Sequence, residues 1–214
     1  VIGIFMMLFG VNFSVYYLLL IRQFMPAYKN SELRLYIGII AVSSILIAIN
    51  ILDIYGTPLK AFRYAFFQVS SIITTTGYAT ANFCQWPIFS QIILLILMFI
   101  GGCAGSTSGG LKVIRIGIMF KNMINEIKKS FSPRSVLTVK NDGRPLENEV
   151  VHGVAAYFAV YMIIMAISVV IVSIDNFDIT TTITAVVTAL NNVGPGLGEI
   201  SRRPSGLRKT ILLY

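Results

Sequence analysis

Residues 67–80 read FQVSSIITTTGYAT, and the length of the apolar run that carries them decides the fold. That run, Ala61–Ile73, has 13 residues, whereas crossing the hydrocarbon core as helix takes about 20. Inside a membrane so short a helix turns back or lies buried in protein. It ends on Thr74-Thr75-Thr76-Gly77-Tyr78. A cation stripped of its water shell needs oxygen ligands, which backbone carbonyls and threonine hydroxyls supply. Glycine permits the backbone angles that turn successive carbonyls to one axis, and the negative end of the preceding helix points at the ion. Thr74–Tyr78 is therefore a candidate cation-binding tip. Thr-Gly pairs are also ordinary turn chemistry; the shortness of the helix favours a pore loop.

Composition sets this segment in a membrane. Of 214 residues 56% are hydrophobic and 12% charged, against roughly a quarter charged in a soluble domain, and mean hydropathy is +0.78. Val1–Ile21, Leu33–Leu52 and His152–Ile174 are long and apolar enough to span. Ile179–Leu190, like Ala61–Ile73, is too short. Arg22–Arg34 is a polar connection with Pro26 and an expected helix start at Ser31-Glu32. The expected fold is an all-α polytopic membrane protein of repeated helix, re-entrant pore loop, helix units.

The net charge of +8 raises nucleic acid as a partner. The excess, however, is gathered between hydrophobic segments without aromatic interleaving, so no nucleic acid is expected. Lys112, Arg115, Lys121, Lys128, Lys129, Arg134, Lys140 and Arg144 face only Glu126 and Asp142, which places this stretch in the cytoplasm with Arg22, Lys29 and Arg34. Asp53, Asp175 and Asp178, with Lys60 and Arg63, fall on the opposite side, where Tyr78 and Trp86 suit the aromatic belt. Cys84, Cys103 and His152 are too few for most metal or disulfide frameworks, and no cofactor is expected. His152 reads as interfacial. No cleavable signal peptide is read, and a start at Val1 inside an apolar run reads as a fragment.

A second tip follows Ile179–Leu190. Gln68–Tyr78 aligns without gaps on Ala185–Pro195, matching Val69 to Val186, Ser71 to Thr188 and Gly77 to Gly194. This tip carries Asn191-Asn192 where the first has threonines, and two unlike loops on one chain imply a pseudo-symmetric filter. Between the tips, Ile88–Ile100 runs into Gly101-Gly102-Cys103-Ala104-Gly105-Ser106-Thr107-Ser108-Gly109-Gly110. Each helical glycine costs about 1 kcal/mol relative to alanine, so this stretch is expected to unwind across the ion path as a flexible plug, or else to be a structural kink. It is not a phosphate-binding loop, because Leu111 stands where that motif needs lysine and Val113 follows Lys112. Lys112 and Arg115, at its border, either snorkel to the cytoplasmic interface or help control cation passage.

FQVSSIITTTGYAT, WPIFSQIILLILMFIGGCAGSTSGGLKVIR (86–115) and ALNNVGPGLG (189–198) resemble the Trk/Ktr/HKT superfamily of potassium transporters, and within it the TrkH type. The resemblance implies four repeats around one potassium path, with 1–23 the last helix of the second and 31–125 the third. It makes 126–146 a basic cytoplasmic loop and 147–200 a partial fourth repeat, with Thr75, Thr76 and Gly77, then Asn192, Val193 and Gly194, as the potassium-binding filter and 101–110 as gating loop. It also implies a bacterial inner-membrane location amid lipid, a homodimer, and cytoplasmic nucleotide-binding regulatory subunits of TrkA type. Residues 201–214 depart from the family pattern, and two of four loops are not expected to conduct alone. A solute symporter with discontinuous helices is the alternative; it calls for charged groups within the apolar segments, and none is read there.

Overall fold

The structure, a computed structural model, describes residues 1–132 and 138–196. Arg134, Leu197, Gly198 and the tail 201–214 lie outside them. The elements are α1 (Ile2–Phe9), α2 (Phe13–Leu20), α3 (Phe24–Lys29), α4 (Ser31–Asn50), α5 (Leu52–Tyr55), α6 (Pro58–Ile73), α7 (Ile88–Ile100), α8 (Val113–Phe131), β1 (Lys140–Asn141), β2 (Arg144–Pro145), α9 (Asn148–Val172) and α10 (Ile179–Leu190), with single 3-10 turns at Phe83–Gln85 and Ser173–Asp175.

Among the described residues, α4 and α9 with its following turn are long and apolar enough to span a membrane. The expected single span Val1–Ile21 is instead bent by 96° between α1 and α2. Gly10-Val11-Asn12 makes the break, and Asn12 restarts the helix by accepting the Ser14 N–H on Oδ1 (2.8 Å). Asn30 caps α4 in the same way, through the Leu33 N–H (3.0 Å).

Burial is inverted relative to a soluble bundle. No residue of the 25-residue α9 is buried, whereas Gln68–Ile73 at the end of the short α6 are all buried. Thr184–Thr188 of α10 are buried as well. The apolar side chains of α9 thus face outward, whereas the ends of the short helices lie in the core together with Tyr36, Ile40 and Ile47 of α4. The chain that leaves at Tyr55 returns to it at Trp86, whose Nε1 donates to Tyr55 Oη (3.3 Å). α6 therefore enters and exits at one end. This contact also keeps Trp86 at 4% exposure, inside the protein rather than in an aromatic belt, while Tyr78 is exposed.

The segments expected on one side do meet. Asp142 Oδ1 accepts the Ser31 N–H at the start of α4 (2.7 Å), and Lys121 Nζ donates to the Lys140 carbonyl (3.0 Å). The hairpin β1–β2, not expected from the sequence, turns on Asp142 (φ 49°) and Gly143 (φ 80°), the paired left-handed conformation of a tight hairpin turn.

Candidate functional site: two facing tips above a glycine loop

The two tips share one backbone. Thr75 N–H donates to Ile72 O (3.0 Å) as Asn192 N–H does to Ala189 O (3.3 Å). Thr76 N–H donates to Ser71 O (2.9 Å) as Val193 N–H does to Thr188 O (3.0 Å). Thr75 and Asn192 both stand in the left-handed region (φ 53° and 58°), and so do Gly77 and Gly194 (φ 80° and 100°). Even side chains reproduce one contact by different chemistry: Thr74 Oγ1 donates to Ser70 O (2.6 Å), and Asn191 Nδ2 to Val187 O (3.0 Å). The tips face one another, because a Cβ on Gly77 would collide with the Val193 carbonyl oxygen and lie 3.1 Å from Pro195 Cδ. Each tip also projects from a helix C-terminus, whose free carbonyls carry partial negative charge.

The glycine stretch lies against both tips. Gly109 N–H donates to Thr75 Oγ1 (2.9 Å), and a Cβ on Gly109 would collide with the Asn191 carbonyl oxygen. Only glycine allows that approach. The stretch is unwound, as its glycines predict, and its two ends are tied to each other. Its stem is pinned by Leu111 N–H to Phe99 O (3.0 Å), Lys112 N–H to Ile100 O (2.9 Å) and Val113 N–H to Gly102 O (3.0 Å). α7 and α8 are thus joined by a closed loop. Inside it Ser106 Oγ donates to Cys103 O (2.6 Å), and Gly102 N–H donates to Ser108 Oγ (3.0 Å). Cys103 is fully buried, Thr107 is exposed, Ala104 and Gly105 form a turn, and Gly110 (φ 79°) stands at the stem.

Lys112 turns back onto the loop: it holds φ 75°, and its Nζ donates to Ser108 O and to Ser108 Oγ (3.3 Å). Arg115 places its guanidinium 4.3 Å from the Tyr157 ring centroid on α9, a cation–π contact.

Several site residues escaped the sequence reading. Glu32, at the expected polar helix start, is 4% exposed and accepts the Ala104 N–H on Oε1 (2.5 Å). Gly10 lies between tip and loop: its carbonyl accepts the Cys103 N–H (3.0 Å), and a Cβ there would strike Tyr36 Oη and lie 2.7 Å from Thr74 Cγ2. Asn191 is buried and pairs with Tyr161 Oη through Nδ2 (2.9 Å). A Gly-x-Asn break within an apolar run was the one available signal; the burial of Glu32 had none.

A helical membrane protein of spanning helices and re-entrant half-helices is the class that this fold and site define. The family model described as TrkH, cation transport protein, matches residues 57–213, and the chain belongs to that family. It is 36% identical over 205 residues to "Trk system potassium uptake protein TrkH" of Salmonella typhimurium, covering 94% of this chain and 42% of that protein. It is 32% identical to "Trk system potassium uptake protein TrkG" of Escherichia coli, over 92% of this chain and 41% of that protein. The crystal structure of the potassium transporter TrkH from Vibrio parahaemolyticus superposes with a TM-score of 0.85 at 34% identity, covering 93% of this chain and 44% of that one. The chain thus spans less than half the length of these relatives.

Proposed function

We propose that this chain supplies two filter loops and the gate of a potassium uptake protein in a bacterial inner membrane. Thr75, Thr76 and Gly77, with Asn192, Val193 and Gly194, offer carbonyl and hydroxyl oxygens to a dehydrated potassium ion. Two helix C-termini add their negative ends to the same point. Residues 101–110 close the path on the cytoplasmic side, with Lys112 and Arg115 bordering the gate. Potassium is the transported ion rather than a cofactor, and no chemical step is involved. By this reading 1–23 ends the second repeat, 31–125 is the third and 147–200 belongs to the fourth. The protein works as a homodimer, and the basic stretch from Lys121 to Arg144 docks nucleotide-binding subunits of TrkA type.

The observation that carries the reading is the meeting of two matched tips with Gly109 hydrogen-bonded to Thr75 against them. Rubidium flux through proteoliposomes containing the intact transporter tests it. Gly77→Asp, which sets a side chain against the Val193 carbonyl, should abolish flux while the protein remains monodisperse. Unchanged flux would refute the assignment of the filter.

A further inference from the structure

The buried carboxylate of Glu32 takes no part in the ion path as read above, yet it bonds the loop directly. Oε1 accepts the Ala104 N–H (2.5 Å), and Oε2 faces Asn12 Nδ2 (3.5 Å). Asn12 cannot turn its amide over, because Oδ1 caps α2 on the Ser14 N–H (2.8 Å). The same α1–α2 break binds the loop twice through main chain: Cys103 N–H donates to Gly10 O (3.0 Å), and Phe13 N–H to Gly105 O (3.2 Å). Cys103, Ala104 and Gly105 are thus gripped in succession by elements that belong neither to α7 nor to α8.

We propose that Glu32 and Asn12 form a latch that holds residues 101–110 seated against the tips, so that the gate opens only when the Ala104 N–H leaves the carboxylate. The inference rests on the reading of 101–110 as the gate. A carboxylate that accepts a backbone N–H in a water-poor site makes a strong bond. Burying that carboxylate is costly unless its donors stay in place. Seated, the loop gives Glu32 a backbone donor; withdrawn, it leaves the buried carboxylate one donor short. Intermediate positions satisfy neither condition, and a bistable gate follows. Glu32 is a positioning residue that acts through the loop.

Cys103 gives a readout independent of flux, since it is fully buried beneath the latch. In the intact transporter carrying Cys84→Ser, reconstituted without regulatory subunits, two rates are measured: rubidium flux, and modification of Cys103 by a water-soluble methanethiosulfonate. Glu32→Ala should raise both roughly tenfold, the weight of a charge-assisted hydrogen bond. Asn12→Asp keeps the helix cap but sets carboxylate against carboxylate, and should act in the same direction. Combining Glu32→Gln with Asn12→Asp restores a donor opposite an acceptor and should return both rates toward the parent. Should Glu32→Ala fail to fold, Asn12→Asp and the double variant decide. Unchanged Cys103 labelling in Asn12→Asp overturns the latch while leaving the gate reading intact. Faster labelling with unchanged flux shows a latched loop that does not gate, and sinks both.

Discussion

Thr75 and Asn192 hold equivalent left-handed backbone with very different aptitude for it. Asparagine enters this region readily, whereas a β-branched residue there is a genuine outlier. Thr75 keeps its hydroxyl nonetheless, and that hydroxyl accepts the Gly109 N–H (2.9 Å). The two demands separate by substitution. Thr75→Ser removes the branch and keeps the acceptor, so flux should persist with an equal or higher melting temperature. Thr75→Val keeps the branch and removes the acceptor, so the loop should loosen and unstimulated flux rise. Gly109→Ala meets the Asn191 carbonyl, and overpacking of this kind costs about 1–3 kcal/mol. It should lower the melting temperature and raise unstimulated flux together; a silent Gly109→Ala would mean that the loop does not seat there in solution.

Among the elements, α4 depends on contacts far away in sequence. Its first turn is capped by Asn30 and again by Asp142, and Ser31 Oγ also donates to Asn141 Oδ1 (2.8 Å). A carboxylate at a helix N-terminus satisfies a free N–H and opposes the positive end of the macrodipole. Asp142→Ala should therefore destabilise the start of α4 by about 1 kcal/mol, seen as a lower melting temperature in detergent, with Asp142→Asn recovering part of the loss. Gly143→Val, which forces a β-branched residue to φ 80°, should act through the same hairpin. Because Glu32 stands one residue past Ser31, the hairpin and the proposed latch share a single anchor.

At the scale of the whole molecule, the proposed topology puts the tips and the basic stretch on opposite faces of the bilayer. A cysteine introduced by Tyr78→Cys, in a Cys84→Ser background, should react with an impermeant reagent from outside intact cells, and one introduced by Lys128→Cys only after permeabilisation. Cys103, fully buried, should stay silent in both arrangements. Labelling of both new thiols from one side would overturn the topology. Much of this arrangement follows from one-dimensional facts. Helix ends at Ile73, Ile100 and Leu190 were legible because apolar runs stop where Thr, Gly or Asn begin, and the short runs revealed the half-helices because length against membrane thickness is a local quantity. The pairing of the tips was visible as a gapless alignment, since each residue there answers to its own backbone angle. The bend at Gly10–Asn12, the closed stem of the loop, the inward turn of Lys112 and the burial of Glu32 and Trp86 were decided only in three dimensions. Each depends on an acceptor or donor brought from elsewhere in the chain, and sequence spacing holds no record of which distant group will satisfy a buried polar atom.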